Sequence, residues 1–198
     1  MCEDLNILWF FLDLPCHRSI ISLELRKNRK MPEKLHIAVV CPQHPLTNDY
    51  GGIPRYLRDY LPELAKEAAV TIVSIENGPE LEGVPQHIVS PGILPSPLAP
   101  PLRSQRIKKK LLNLNPDCVE YSNYLGLACM DNSDVPKVMR ISSPITSGAL
   151  RPGILPRLAR PLHHYWERKA AAQVDLWISH SSANLEKCSE LYNLNLPG

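Results

Sequence analysis

Residues 35–75 read LHIAVVC (35–41), PQHPLTNDYGG (42–52), IPRYLRDYLPELAKEA (53–68) and AVTIVSI (69–75). The first run is short, apolar and β-branched, which is the signature of a strand buried on both faces. A turn-rich loop follows it. Ile53, Leu57, Tyr60, Leu61, Leu64 and Ala68 then recur at helical spacing and give one apolar face. Pro54 suits the first helical turn, where its missing N–H is not needed. Pro62 lies deeper and removes a backbone donor, so a kink is expected there. The last run is a second strand. Strand, loop, helix and strand in this order make a right-handed parallel crossover.

The same alternation continues outward. QHIVS (86–90) reads as a third strand, residues 102–114 as a helix stopped by Asn115-Pro116, DCVEY (117–121) as a fourth strand and KVMRIS (137–142) as a fifth. A helix over about 162–173, the strand VDLWIS (174–179) and the helix ANLEKCSELY (183–192) close the pattern. Two proline-rich stretches, 91–101 and 151–161, read as ordered loops of extended character. The class is α/β, a doubly wound parallel sheet of Rossmann-like type. Ligands bind such sheets outside the carboxyl ends of the strands, which marks the loops after Cys41, Tyr121 and Ser142.

The chain has 198 residues, 44% hydrophobic and 21% charged, with a formal net charge of +2. That is an ordinary globular composition of single-domain size, and it excludes disordered, collagenous and coiled-coil classes. Near-neutral charge gives no reason to expect nucleic acid. No apolar run approaches the roughly 20 residues of a membrane span. The 20 prolines are about twice the average usage. The six cysteines form no CxxC pair and no zinc-like spacing, so free thiols in a reducing cytoplasm are expected, and no metal site.

Residues 1–33 read differently. LNILWFFLDL is preceded by Glu3 and Asp4, where a signal peptide carries positive charge, and RKNRK precedes Met31. The expectation is a leader or a spurious extension with Met31 as the true start; a short amphipathic anchor is the rival.

Gly51-Gly52 before a helix lets backbone N–H groups approach a ligand closely, and the helix dipole favours an anion there. A tight turn with positive φ explains the pair equally well. Neither GxGxxG nor a Walker A loop is present. His163-His164 is an adjacent pair whose side chains diverge by about 100° on a helix, poor geometry for metal. The stretch Arg103–Lys110 reads as a solvated helix face or as a contact with an anionic membrane. His180-Ser181-Ser182 reads as a helix N-cap.

Taken in order, LHIAVVCPQHPLTNDYGGIPRYLRDYLPELAKEAAVTIVS, PDCVEYSNYLGLA (116–128), VPKVMRISSP (135–144) and ERKAAAQVDLWISHSSANLEKCSELYNL (167–194) resemble the N-terminal domain of family 4 glycosyltransferases. The resemblance covers residues 34 to 196, so 34–198 is expected to be that domain. It implies half of the GT-B architecture, in which an acceptor-side domain faces a donor-binding domain across a cleft. It further implies that Gly51 and Gly52 face the donor diphosphate and that Arg55, Glu120, Ser122, Asn123 and Ser142 lie at the acceptor. Ser142 stands where many members place a histidine. The family's donor-binding half would begin where this chain stops. The expected function is therefore sugar transfer from a nucleotide-sugar to an acceptor hydroxyl, truncated and inactive alone. The alternative is a non-catalytic interaction module derived from such a domain. Expected partners are a sugar or lipid-linked acceptor and either a separately encoded C-terminal domain or a second copy, with nucleotide-sugar as substrate and no cofactor.

Overall fold

The computed structural model describes residues 34–46, 52–95, 98–142 and 154–195. The expectations for the leader at 1–33 and for Gly51 fall outside these residues. Among the described residues one six-stranded sheet organises the fold: β1 (His36–Cys41), β2 (Ala69–Ser74), β3 (Gln86–Ile88), β4 (Cys118–Ser122), β5 (Lys137–Ile141) and β6 (Leu176–Ser179). Its spatial order is β3-β2-β1-β4-β5-β6, and every neighbouring pair is parallel. The order reverses between β1 and β4, which makes their carboxyl ends the switch point of the sheet.

Helices α1 (Gly52–Glu67), α2 (Pro100–Leu114), α3 (Ile154–Ala171) and α4 (Ser182–Tyr192) cover it. Side-chain alternation along each strand divides the core in two. Val39 and Cys41 of β1 and Val70 and Ile72 of β2 pack against Leu57, Leu61 and Leu64 of α1. Ala38, Val40, Val119, Tyr121, Met139 and Ile141 point to the other face, against Ile107 and Leu111 of α2, Ala170 of α3 and Tyr192 of α4. Burying a Leu or Ile side chain contributes about 1.5–3 kcal/mol, so α1 is held mainly by its three buried leucines.

The strands fall where the periodicity predicts. The prolines do not all behave as expected. α1 remains helical through Pro62 to Glu67, with Leu61 and Leu64 buried on either side of the proline. α2 begins at Pro100, with prolines in its first two positions. The larger correction is at 151–161: helix α3 starts at Ile154 and contains Pro161, so most of the expected loop is helical. Pro156 lies in the first turn, where a proline costs no helical hydrogen bond. The expected N-cap is present, as Ser181 Oγ accepts from the Asn184 amide at 3.2 Å.

No α-helix stands between β4 and β5. The chain makes a short 3-10 turn, Tyr124–Gly126, and returns through residues 127–130. Gly126 has φ +61, and a Cβ there would lie 2.7 Å from the Trp166 backbone, so this turn packs directly onto α3. No helix among the described residues is long and apolar enough to cross a membrane.

Candidate functional site

The carboxyl edge of the sheet carries two polar clusters, one on each side of the strands.

The first faces α1. Residues 120 and 140 have the same parity in register-matched strands, with Ser122 opposite Arg140, so Glu120 and Arg140 point to the same face. Arg140 Nε donates to Glu120 Oε1 at 2.6 Å. Their side chains are only 24% and 4% exposed. Tyr56 and Tyr60, one helical turn apart on α1, stack with ring centroids 5.0 Å apart. The guanidinium lies 4.4 Å from the Tyr56 centroid and 5.1 Å from that of Tyr60. Tyr60 Oη donates to the other Glu120 oxygen at 3.4 Å. Burial is the main cause that pushes both phenols well above their ordinary range; they stay neutral donors. For Arg140, burial opposes the charge, but the Glu120 carboxylate outweighs it and the pKa rises.

The second cluster ties the ends of β4, β5 and β6 together. Asn123 is fully buried. Its Oδ1 accepts from the Ser142 amide at 3.0 Å and from Ser142 Oγ at 2.8 Å. Its Nδ2 lies 3.5 Å from Tyr192 Oη, which donates to Glu167 Oε2 at 3.3 Å. From the other side, Asn184 Nδ2 donates to the Ser142 carbonyl and to Ser179 Oγ, both at 2.9 Å. Ser179 Oγ in turn donates to the Ile141 carbonyl at 3.0 Å. Ser142 is thus held through its amide, its hydroxyl and its carbonyl.

The expected site residues therefore divide. Asn123 and Ser142 are brought into contact, and Ser142 is the half-buried member at the edge. Ser122 Oγ accepts from the Tyr124 amide at 3.2 Å and shapes the turn after β4. Glu120 is bound by Arg140. Arg55 is exposed in the first turn of α1, and Gly52 opens that helix.

Arg140, Tyr56, Tyr60 and Asn184 were not singled out by motif. A signal for Arg140 exists: one charge in each of two adjacent buried strands, on the same parity, must pair. His44 is also fully buried, with Nε2 2.9 Å from Gln86 Oε1 and Nδ1 accepting from the Leu46 amide. It fastens the loop after β1. Among the described residues no group of three His, Cys, Asp or Glu side chains is placed to hold a metal ion.

Residues 50–195 match the sequence profile of a family described as Glycosyltransferase Family 4. No curated protein matches the chain in sequence. Among solved structures, sucrose-phosphate synthase from Thermosynechococcus elongatus superposes with a TM-score of 0.58 at 13% identity, over 79% of this chain and 44% of that one. The chain thus spans under half the length of that protein, and the likeness is one of fold.

Proposed function

Because the chain belongs to glycosyltransferase family 4, we propose that it is the acceptor-side half of a GT-B enzyme that moves a sugar from a nucleotide-sugar to an acceptor hydroxyl. One observation carries the reading. The glycine-opened N-terminus of α1 and the Ser142–Asn123 pair lie after β1, β4 and β5, on the carboxyl edge where open α/β sheets bind ligands.

In this reading the Gly51–Gly52 loop faces the donor diphosphate. The unpaired N–H groups of the first turn stabilise charge on the leaving phosphate as the glycosidic bond breaks. Arg55 projects from the same turn toward phosphate or acceptor. Ser142 meets the acceptor hydroxyl, and Asn123 and Ser122 hold the loop that carries it. Glu120 acts through Arg140, fixing α1 against β4 and β5.

The described residues form one Rossmann unit, so the donor pocket belongs to a second domain, supplied by a separate chain or a further segment. Sugar transfer by these residues alone is not expected. Ile93 and Leu98, both more than half exposed, precede Arg103 and Arg106 in the first half of α2. This apolar-then-basic order supports a lipid-linked acceptor presented at an anionic membrane. Free Cys41, Cys118, Cys129 and Cys188 support a cytoplasmic setting.

A non-catalytic interaction module is the second reading. It is favoured by Ser142 at the position where many family members carry histidine, since a serine hydroxyl does not titrate near neutral pH.

Saturation-transfer NMR separates the two. The chain is screened against simple glycosides, lipid-linked glycosides and nucleotide-sugars. Acceptor glycosides should bind at millimolar to micromolar affinity and lose their signal in Ser142→Trp, while nucleotide-sugars bind weakly. Absence of any glycoside binding, or nucleotide-sugar binding tighter than about 10 μM, would refute the assignment.

A further inference from the structure

A cleft of about 430 Å³ opens between α2, α3 and the 127–132 turn. Lys108 and Lys109 reach it from α2 and Lys169 from α3, with Gln105 and Gln173 beside them. We propose that this cleft is a binding site for a small soluble di- or polyphosphate.

The volume lies in the range of about 300–1,000 Å³ that encloses small ligands. No carboxylate is among the lining residues. Lys108 and Lys169 are held by neutral groups instead. Lys108 Nζ donates to Asn132 Oδ1. Lys169 Nζ lies 3.6 Å from Met130 Sδ and 5.7 Å from the Trp166 ring centroid. These contacts position the Lys108 and Lys169 ammonium groups without neutralising them. Three cations converging on one concavity repel each other, and an anion seated among them relieves that repulsion. Each lysine offers three rotatable donors, and the two glutamine amides add more, a set that suits phosphate oxygens spread over more than one centre. Met130 and Leu112 give the cleft an apolar wall.

The site is separate from the carboxyl edge. The 129–132 turn supplies part of its lining; the rest comes from Gln105 to Leu112 of α2, which ends just before β4 begins, and from Lys169 and Gln173 at and just past the end of α3, before β6 begins. Both lie toward the amino edge of the sheet. The cleft therefore takes its anion independently of Ser142 and of the α1 N-terminus.

Calorimetric titration of the full chain with inorganic pyrophosphate tests the proposal. One-to-one saturable binding is expected, weakened at least ten-fold by Lys169→Gln and by Lys109→Gln. Binding should be unchanged in Lys66→Gln, whose lysine sits in an exposed pair with Glu63. No saturable heat up to about 5 mM pyrophosphate, equal binding in the cleft variants, or loss of binding in Lys66→Gln would overturn it. So would Lys169-dependent sedimentation with phosphatidylserine vesicles that pyrophosphate does not compete away, because the ligand would then be a lipid surface. Lys109 is an exposed residue at the cleft, so its variant keeps the test valid even if Lys169→Gln fails to fold.

Discussion

Replacing Arg140 by methionine keeps an apolar stem over Tyr56 and Tyr60 and removes the guanidinium. It leaves Glu120, whose side chain is 4% exposed, as a buried carboxylate whose remaining hydrogen bond among the described residues is the 3.4 Å one from the Tyr60 hydroxyl of α1. Breaking a buried pair by deleting one partner typically costs about 3–5 kcal/mol. The Arg140 side chain is 24% exposed, so water reaches part of the vacated space and the lower end applies. Lost cation–π attraction adds roughly 1 kcal/mol, and methionine–aromatic contact returns about as much. The expected loss is therefore about 3 kcal/mol, a large part of a typical 5–15 kcal/mol stability. With a urea m-value of about 2 kcal/mol/M, the unfolding midpoint should fall by about 1.5 M. Adding Glu120→Gln removes the stranded charge, so the double variant should lie within about 1.5 kcal/mol of the native chain. A midpoint shift under about 0.5 M for Arg140→Met, or a double variant as unstable as the sum of the singles, would refute the reasoning.

Gly126→Ala should cost at least about 2 kcal/mol by thermal or urea unfolding, because it combines φ +61 with a 2.7 Å clash against the Trp166 backbone. Burial lowers the pKa of both His44 and His163, so protons bind the unfolded chain more readily than the folded one. Stability should hold above about pH 7 and fall as pH drops through about 6.5, with a shallower fall in His44→Gln, read from urea midpoints between pH 8 and 5.5. Burial pushes the Cys41 and Cys118 thiols up to about 12 and the Cys129 and Cys188 thiols up to about 11. All four should resist iodoacetamide at pH 8 in the native protein and react once urea unfolds it, as read by peptide mass spectrometry.

The sheet was legible because buried parallel strands advertise themselves. HIAVVC, AVTIVS and LWIS are near-continuous apolar runs, and CVEYS and KVMRI keep apolar residues around one or two charges; their alternation with helices points to a doubly wound parallel sheet, while the 3-2-1-4-5-6 order came from the structure. Helix α3 was half hidden because a proline in a first turn looks like a loop residue and is sterically a good helix starter. Only the backbone trajectory after residue 153 distinguishes the two. At the carboxyl edge, Asn123 and Ser142 were visible as polar residues ending apolar strands. Their bond to each other was not, since it depends on the register between β4 and β5. Arg140 was hidden for a different reason. It sits in a strand whose neighbours alternate in burial, and its partners come from two elements far apart in sequence, Glu120 on β4 and the two tyrosines on α1. No local window contains that cluster.

The Asn184 clamp has a consequence for biosynthesis. Asn184 belongs to α4, the last helix in chain order, yet it fastens the carbonyl of Ser142 and the hydroxyl of Ser179 on strands made earlier. On a translating ribosome, β5 can pair with β4 well before α4 leaves the exit tunnel. During that interval Ser142 has its Asn123 bonds and lacks the hold on its carbonyl. The edge reaches its final shape only when α4 docks, so a nascent chain halted before residue 184 would carry β1 to β5 paired, β6 still to be added and an unfinished rim.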